Sequence, residues 1–391
     1  MTQVDRRPAV GARALEVGVR RVDILAWRDL DDPEAGGSER HAHHVASVWA
    51  EAGLDVTMRT SEAAGQPGAA PRDGYRVVRR GGRLSVFPRT AVRGLLERRA
   101  GPDGLVEVWN GMPFFTPLWA RRPHIVLLHH VHAEMWKMVL RPWHARLGEL
   151  VERRIAPPVY RASRVVTLSE SSRREIIAML GLRPGRVSVV GPGVDPRFAP
   201  GGARSPHPLV VAVGRLVPVK RFDLLIEVVA EVRRVVPDLR AVIVGEGNER
   251  AKLEARRHAR GADSWIELPG HLDDDEVVQL YRRAWVLAAT SQREGWGMTV
   301  TEAAACGTPA VVSRIAGHVD AVRHGGSGLV ADVATEPFAA ALGAVLGDPV
   351  LRARLGQGAR ARAEEMTWEA TAARTLEALV EEALTRRGAG S

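Results

Sequence analysis

Two glutamates, Glu294 and Glu302, stand eight positions apart in the stretch Ser291–Pro309, SQREGWGMTVTEAAACGTP. The first falls in a loop behind a short apolar strand, the second in the second turn of the helix that follows. Between them Gly295 and Gly297 let backbone approach a ligand closely. A helix beginning at Met298 and Thr299 offers unpaired N–H groups and a positive dipole end, which suits a phosphate. The two carboxylates could each accept paired hydrogen bonds from vicinal hydroxyls, as on a ligand with a sugar at one end and a ribose at the other. From spacing alone, a surface-loop acid and a helical capping glutamate fit equally well.

A second constellation is Gly214–Lys220, GRLVPVK, between a strand and a helix. Only three lysines, Lys137, Lys220 and Lys252, stand among 55 basic residues, so Lys220 at a loop-to-helix junction stands out. Lysine is a compact point charge and arginine a bidentate fork, and Lys220 with Arg215 could neutralise a diphosphate. The alternative is solvated loop charge. Glu34–Glu39, EAGGSE, is a third candidate, with Gly36 and Gly37 opening a helix and offering backbone donors. Neither it nor Gly245-Glu246-Gly247 completes the dinucleotide pattern GxGxxG, and in isolation an ordinary tight turn is the better reading of each.

Leu128–His132, LHHVH, puts three histidines at a strand end. Extended backbone places His130 and His132 on one face and His129 on the other, and no acidic pair stands nearby. A histidine contacting substrate is therefore favoured over a metal site. Asp273-Asp274-Asp275 precedes a helix and reads as an N-cap cluster. Cys306, the single cysteine, excludes a disulfide framework and reads as buried filler.

The elements that must hold these groups alternate. Strands are expected at Arg21–Trp27, Leu54–Arg59, Leu105–Val108, His124–Leu128, Arg164–Leu168 and Val187–Val190, with helices at Ser38–Ala52 (Ser38 as N-cap, Gly53 as stop), Ala91–Arg99, Trp143–Arg154 and Glu170–Leu180 between them. Gly191–Pro208 holds five prolines and four glycines and breaks regular structure. Alternation then restarts with strands Leu209–Val213, Ala241–Val244, Trp285–Ala289 and Ala310–Val312. Helices are expected at Asp223–Val236, Glu249–Arg260, Glu276–Arg283, Met298–Ala305 and Trp368–Arg386. This grammar specifies two α/β, doubly wound, Rossmann-like domains facing a cleft, whose ligands bind at the carboxyl ends of parallel strands.

The 391 residues carry a net charge of +9, with 45% hydrophobic and 26% charged residues, which excludes a disordered chain. No apolar run approaches the ~18 residues that span a bilayer. Met1–Arg20 lacks the apolar core of a secretory signal, so a soluble cytoplasmic protein is expected. A basic balance favours anionic partners without choosing among them, and no recognised nucleic-acid motif accompanies it. Arg141–Arg161, preceded by Trp136 and Lys137, reads as a solvated arginine face. Its alternative is an amphipathic patch in peripheral contact with the inner face of a membrane.

In order and at these distances, the residues resemble the retaining, nucleotide-sugar-dependent glycosyltransferases of family 4, which have the GT-B fold. The resemblance runs from Arg21 to Glu382. It is carried by the Glu294/Glu302 pattern, the Arg215/Lys220 pair, the Gly36-Gly37 loop, and Gly193-Val194-Asp195 before Phe198, which is similar to the family's interdomain segment. Two positions depart from it: Asp320 where a glutamate is usual, and Pro192 where asparagine is usual.

The resemblance implies a flexible extension over 1–20, an acceptor-binding domain over 21–198, a linker over 199–208 and a nucleotide-sugar-binding domain over 209–366. A C-terminal helix, 367–391, is expected to pack back toward the first domain. Arg215 and Lys220 would hold the donor diphosphate, helped by the helix start at Gly297, Met298 and Thr299. Glu302 would bind ribose hydroxyls, Glu294 with Gly295 the transferred sugar, and Gly36 and Gly37 the diphosphate–sugar region. The catalytic histidine would be His132 or else His129. A sugar would pass from a nucleoside-diphosphate sugar, the co-substrate, to a hydroxyl of a glycan, glycolipid or small molecule, with no metal and no other cofactor. A nucleotide-sugar epimerase or sugar phosphorylase of the same fold is the alternative. A dinucleotide-dependent oxidoreductase and a basic non-catalytic adaptor are more distant rivals.

Overall fold

The computed structural model describes residues 7–96 and 101–388, and these divide into two compact units. One comprises residues up to Gly193 together with those from Thr367 onward, the other Val194–Met366. Residues 97–99 of the expected helix Ala91–Arg99, 1–6 of the expected extension and 389–391 of the C-terminal segment lie outside the described residues.

The first unit is built on eight strands: β1 Arg21–Leu25, β2 Asp55–Thr60, β3 Ala69–Arg72, β4 Tyr75–Arg79, β5 Gly104–Val108, β6 His124–Leu127, β7 Arg164–Thr167 and β8 Val187–Val189. Their order is β3-β4-β2-β1-β5-β6-β7-β8, parallel except for the β3–β4 pair. All five residues of β5 and all four of β6 are buried, as required of strands covered on both faces. The β3–β4 hairpin was not among the expected strands. It turns on Asp73 and Gly74, with φ of 42° and 81°, the two positive-φ residues of a tight two-residue loop.

Two further corrections concern this unit. The helix Gly37–Glu51 is capped at Gly36, and Ser38 lies inside it; the Glu39 carboxylate, not a serine hydroxyl, accepts the Gly36 N–H at 2.9 Å. Part of the expected flexible extension, Arg7–Glu16, is a helix with Ala14 buried. A Cβ at its Gly11 would fall 2.5 Å from the Ala52 carbonyl, so small size at that position permits the packing. The helix Trp368–Gly388 belongs to this unit: Trp49 donates its indole N–H to the Ala372 carbonyl at 2.9 Å, and Leu379 packs on Gly104.

The second unit carries six parallel strands: β9 Leu209–Val213, β10 Arg240–Val244, β11 Ile266–Gly270, β12 Val286–Ala289, β13 Ala310–Ser313 and β14 Gly328–Ala331. They run in the order β11-β10-β9-β12-β13-β14. Val210, Ala212, Ile243 and Val311 meet Leu225, Val229, Phe338, Leu342 and Leu355 from the covering helices. Each fully buried Val, Leu, Ile or Phe contributes about 1.5–3 kcal/mol. The stretch 199–208, expected as a linker, is part of this unit: Arg204 donates to the Ala284 and Gly307 carbonyls and to the Thr308 hydroxyl. Helices Thr335–Gly347 and Pro349–Glu364 were not expected. The Asp273 cluster was: the Asp273 side chain accepts from Glu276 N at 2.8 Å, and Glu276 returns the bond.

Candidate active site

In the second sheet the strand order reverses between β9 and β12. Crevices outside the carboxyl ends of strands at such a reversal are where open α/β sheets bind ligands. Behind β9 the chain runs through Gly214–Val217 into a short 3-10 turn, Pro218–Lys220. Pro218 starts this turn without forfeiting a needed N–H. Arg221, at a φ of 52°, ends it and begins the helix Phe222–Arg233. Behind β12, Thr290 donates its hydroxyl to the Lys220 and Arg221 carbonyls at 3.0 Å each, and Gln292 N donates to Val219 O at 2.8 Å. The two loops are thus laced together.

The lacing brings the Lys220 ammonium onto Glu294 Oε1, which also accepts from Ser291 Oγ at 2.9 Å. Burial raises the Glu294 pKa, but the Lys220 charge and these hydrogen bonds outweigh it and hold the carboxyl at about 2. His318 lies beside it. Burial pulls His318 down to about 4, so its ring is neutral at pH 7. Its Nδ1 lies 3.2 Å from Ser313 Oγ, whose own proton goes to the Ser291 carbonyl.

Two glycines make this packing available. Gly317 has a φ of 82°, and a Cβ there would fall 2.7 Å from Gly295 C and Trp296 N. Gly297 has a φ of 107°, with His318 Cδ2 3.0 Å from where its Cβ would be. Gly297 opens the helix Met298–Ala305, in which the Met298 and Thr299 N–H groups have no acceptor in the preceding turn. One turn on, Glu302 accepts from the Tyr281 hydroxyl at 3.3 Å. Arg215 is half-buried in the loop that leads to Lys220. Gly245 supports that loop from below: its φ is 136°, and a Cβ there would lie 2.0 Å from Gly214 O, a contact only glycine allows.

The first sheet reverses between β1 and β5. There Asn110 donates to Ser38 Oγ at 2.7 Å and to Glu39 Oε1 at 3.2 Å. Glu39 is buried, yet the Arg28 charge and hydrogen bonds from Gly36 N and Ser38 hold its carboxyl below the usual range. Gly36 and Gly37 therefore enter the helix over an ionised, fully engaged carboxylate.

The histidines separate at the end of β6. His129 Nε2 meets His41 Nδ1 at 3.1 Å, and burial keeps both rings neutral. His132 stacks near His130 and Trp136. Its backbone N–H and that of Ala133 donate to Glu152 at 2.7 and 2.9 Å, with the Trp136 indole N–H at 3.0 Å. Glu152 sits in a π-helical turn, Val151–Ile155, between helices Pro142–Leu150 and Ala156–Tyr160. Gly111, at a φ of 82° in the loop behind β5, packs against the other side of the ring: a Cβ there would lie 3.2 Å from both His132 Nε2 and the Trp136 ring.

Residues 35–198 match the family Glycosyltransferase Family 4, and 195–362 match Glycosyl transferases group 1. A D-inositol 3-phosphate glycosyltransferase of Kribbella flavida is 29% identical over 414 residues, covering 93% of this chain and 96% of its own. Sucrose-phosphate synthase from Thermosynechococcus elongatus superposes with a TM-score of 0.78 at 18% identity, over 95% of this chain and 100% of its own. The chain belongs to the GT-B glycosyltransferases. A second solved structure, Anabaena HepE in complex with UDP and glucose, is similar at a TM-score of 0.71 and 19% identity, over 92% and 98% of the two chains.

In this glycosyltransferase, Lys220, Glu294, Gly295 and Gly297 gather at one strand-order reversal, with Met298, Thr299 and Glu302 on the helix behind them. Gly36 and Gly37 lie at the other reversal, and His129 and His132 just beyond it. The sequence reading missed Ser291, His318, Asn110, His41 and Glu152. His318 carried a signal, standing directly after a glycine behind a short apolar strand. Glu152, among arginines, carried none. Among the described residues no group of three His, Cys, Asp or Glu side chains is arranged to hold a metal ion, and no helix is long and apolar enough to cross a membrane.

Proposed function

We propose that this glycosyltransferase moves a sugar from a nucleoside-diphosphate sugar to an acceptor hydroxyl with retention of anomeric configuration and without a metal ion. The observation that carries this is the Lys220–Glu294 pair at the β9/β12 reversal, beside the open first turn of Met298–Ala305. A diphosphate there meets fixed positive charge from Lys220 and Arg215 and two backbone donors, which would stabilise charge building on the leaving phosphate. Displacing the ammonium toward phosphate frees Glu294 to accept hydroxyls of the transferred sugar, with Glu302 taking the ribose. The departing phosphate itself can take the acceptor's proton as the new C–O bond forms and the C–O bond to phosphate breaks on the same face.

In the first unit, His132 is the residue assigned to the reacting sugar. Glu152 fixes its backbone through the His132 and Ala133 N–H groups, and the lack of a side chain at Gly111 is what fits the loop behind β5 against its Nε2 edge. Gly36 and Gly37 are assigned to the donor.

Nucleoside-diphosphate sugars should raise the thermal midpoint of the purified protein, and Lys220→Ala should remove that response. Transfer to D-inositol 3-phosphate, the acceptor in the relatives' name, is the first to assay, with the anomeric configuration read by NMR and the rate compared with and without EDTA. Inverted product, or a rate lost in EDTA and restored by a divalent ion, would refute the corresponding part. Conversion of the donor alone would instead mark an epimerase.

A further inference from the structure

The segment Pro142–Tyr160 has two faces with different occupants. Its inner face is filled: Ala145, Gly148, Val151 and Glu152 are buried, and Gly148 packs so closely that a Cβ there would lie 2.5 Å from the Trp136 ring. Its outer face is not. Trp143, Leu147, Leu150 and Ile155 are 62%, 46%, 49% and 45% exposed, and Leu140, just upstream, is exposed as well. Positions 143, 147 and 150 recur at four and three residues and so share one stripe. A π-helical turn takes up one more residue than an α turn. The turn Val151–Ile155 therefore carries the stripe on to Ile155, five positions after Leu150.

Arginines border this stripe. Arg141, Arg146, Arg153, Arg154 and Arg161 are exposed, and none forms an ion pair among the described residues. The acids of the region do not offset them: Glu149 is engaged by Lys137 at 3.1 Å, and Glu152 points inward. Exposed large apolar side chains in one strip mark a contact surface.

We propose that this stripe docks the protein on an anionic lipid surface. Trp143 and the aliphatic side chains enter the headgroup–acyl boundary while the arginines extend to lipid phosphates. Charge selects this occupant. A second copy would bring the same arginines against one another, whereas an anionic bilayer supplies both an apolar layer and negative charge. The surface stands independently of the donor assignment, since none of its residues takes part there.

The full chain should sediment with phosphatidylcholine vesicles containing phosphatidylglycerol, much less with phosphatidylcholine alone, and be released by salt. The variants Trp143→Ser/Leu147→Ser and Arg153→Gln/Arg154→Gln should each partition about tenfold or more weakly, with unfolding midpoint and donor-induced stabilisation unchanged. Absence of partition onto phosphatidylglycerol vesicles would overturn the proposal. So would both variants partitioning like the unaltered chain, or a concentration-dependent dimer lost in the apolar variant without vesicle binding.

Discussion

Replacing Lys220 by methionine keeps most of its stem while removing the charge that holds Glu294 ionised. The Glu294 carboxyl, ordinarily at 4.5, is held at about 2. At about 1.4 kcal/mol per unit, that difference corresponds to about 3 kcal/mol. Both side chains are about one-fifth exposed, 21% and 20%, and solvent screening reduces the figure to about 2 kcal/mol. Because the folded value is depressed, this stability is fully present above 4.5 and is lost as pH falls toward 2. Urea unfolding of wild type and Lys220→Met across pH 7 to 3 should therefore give a difference near 2 kcal/mol at neutral pH that has shrunk by about half at pH 3. Other depressed carboxylates, Asp29 and Glu39 among them, titrate alike in both proteins and cancel. A difference independent of pH would show that the ion pair does not govern Glu294, and with it would fall the idea that donor phosphate displaces a resident carboxylate.

Other outcomes follow from the same structure. Glu152→Gln leaves one fewer acceptor for His132 N, Ala133 N and the Trp136 indole, and should cost about 1–3 kcal/mol of stability in urea unfolding. The same variant should lower kcat more than it raises KM for the donor. Gly317→Ala places a methyl against Gly295 and Trp296 at positive φ; a loss of about 1–3 kcal/mol together with weaker donor-induced stabilisation is expected by thermal shift. His132→Ala should reduce transfer at least about a hundredfold while donor-induced stabilisation persists. His129→Ala should act chiefly on stability, and the reverse ranking in initial rates would exchange their roles.

The strand–helix alternation was legible because strands covered on both faces read as short apolar runs, such as Leu209–Val213. Lys220 and Glu294 could be singled out by residue type and loop position. Their contact could not, since it depends on β12 lying beside β9. The β3–β4 hairpin carried an overlooked turn signal, Asp73-Gly74. Its strands hid behind polar residues: Pro71 interrupts β3, and Arg79 is fully buried only because Asp29 pairs with it. Pro349–Glu364 escaped because, apart from Leu355, the residues it buries are small and draw no apolar stripe. Ala359 and Ala363 are buried, and a Cβ at Gly358 would lie 2.0 Å from Gly326 O. Glu39 and Glu152, both charged and both buried, are invisible to any pattern that equates charge with surface.

The extra residue wound into Val151–Ile155 sets the phase between two jobs done by one segment. With it, the carboxylate that clamps the chain around His132 faces the sheet while Ile155 remains aligned with Trp143. Excising a single residue there, Arg153 for example, would rotate everything downstream by about 100° relative to everything upstream. Either the clamp or the outer alignment would then be forfeited, so the length of this turn is constrained more tightly than the identity of the arginines that fill it.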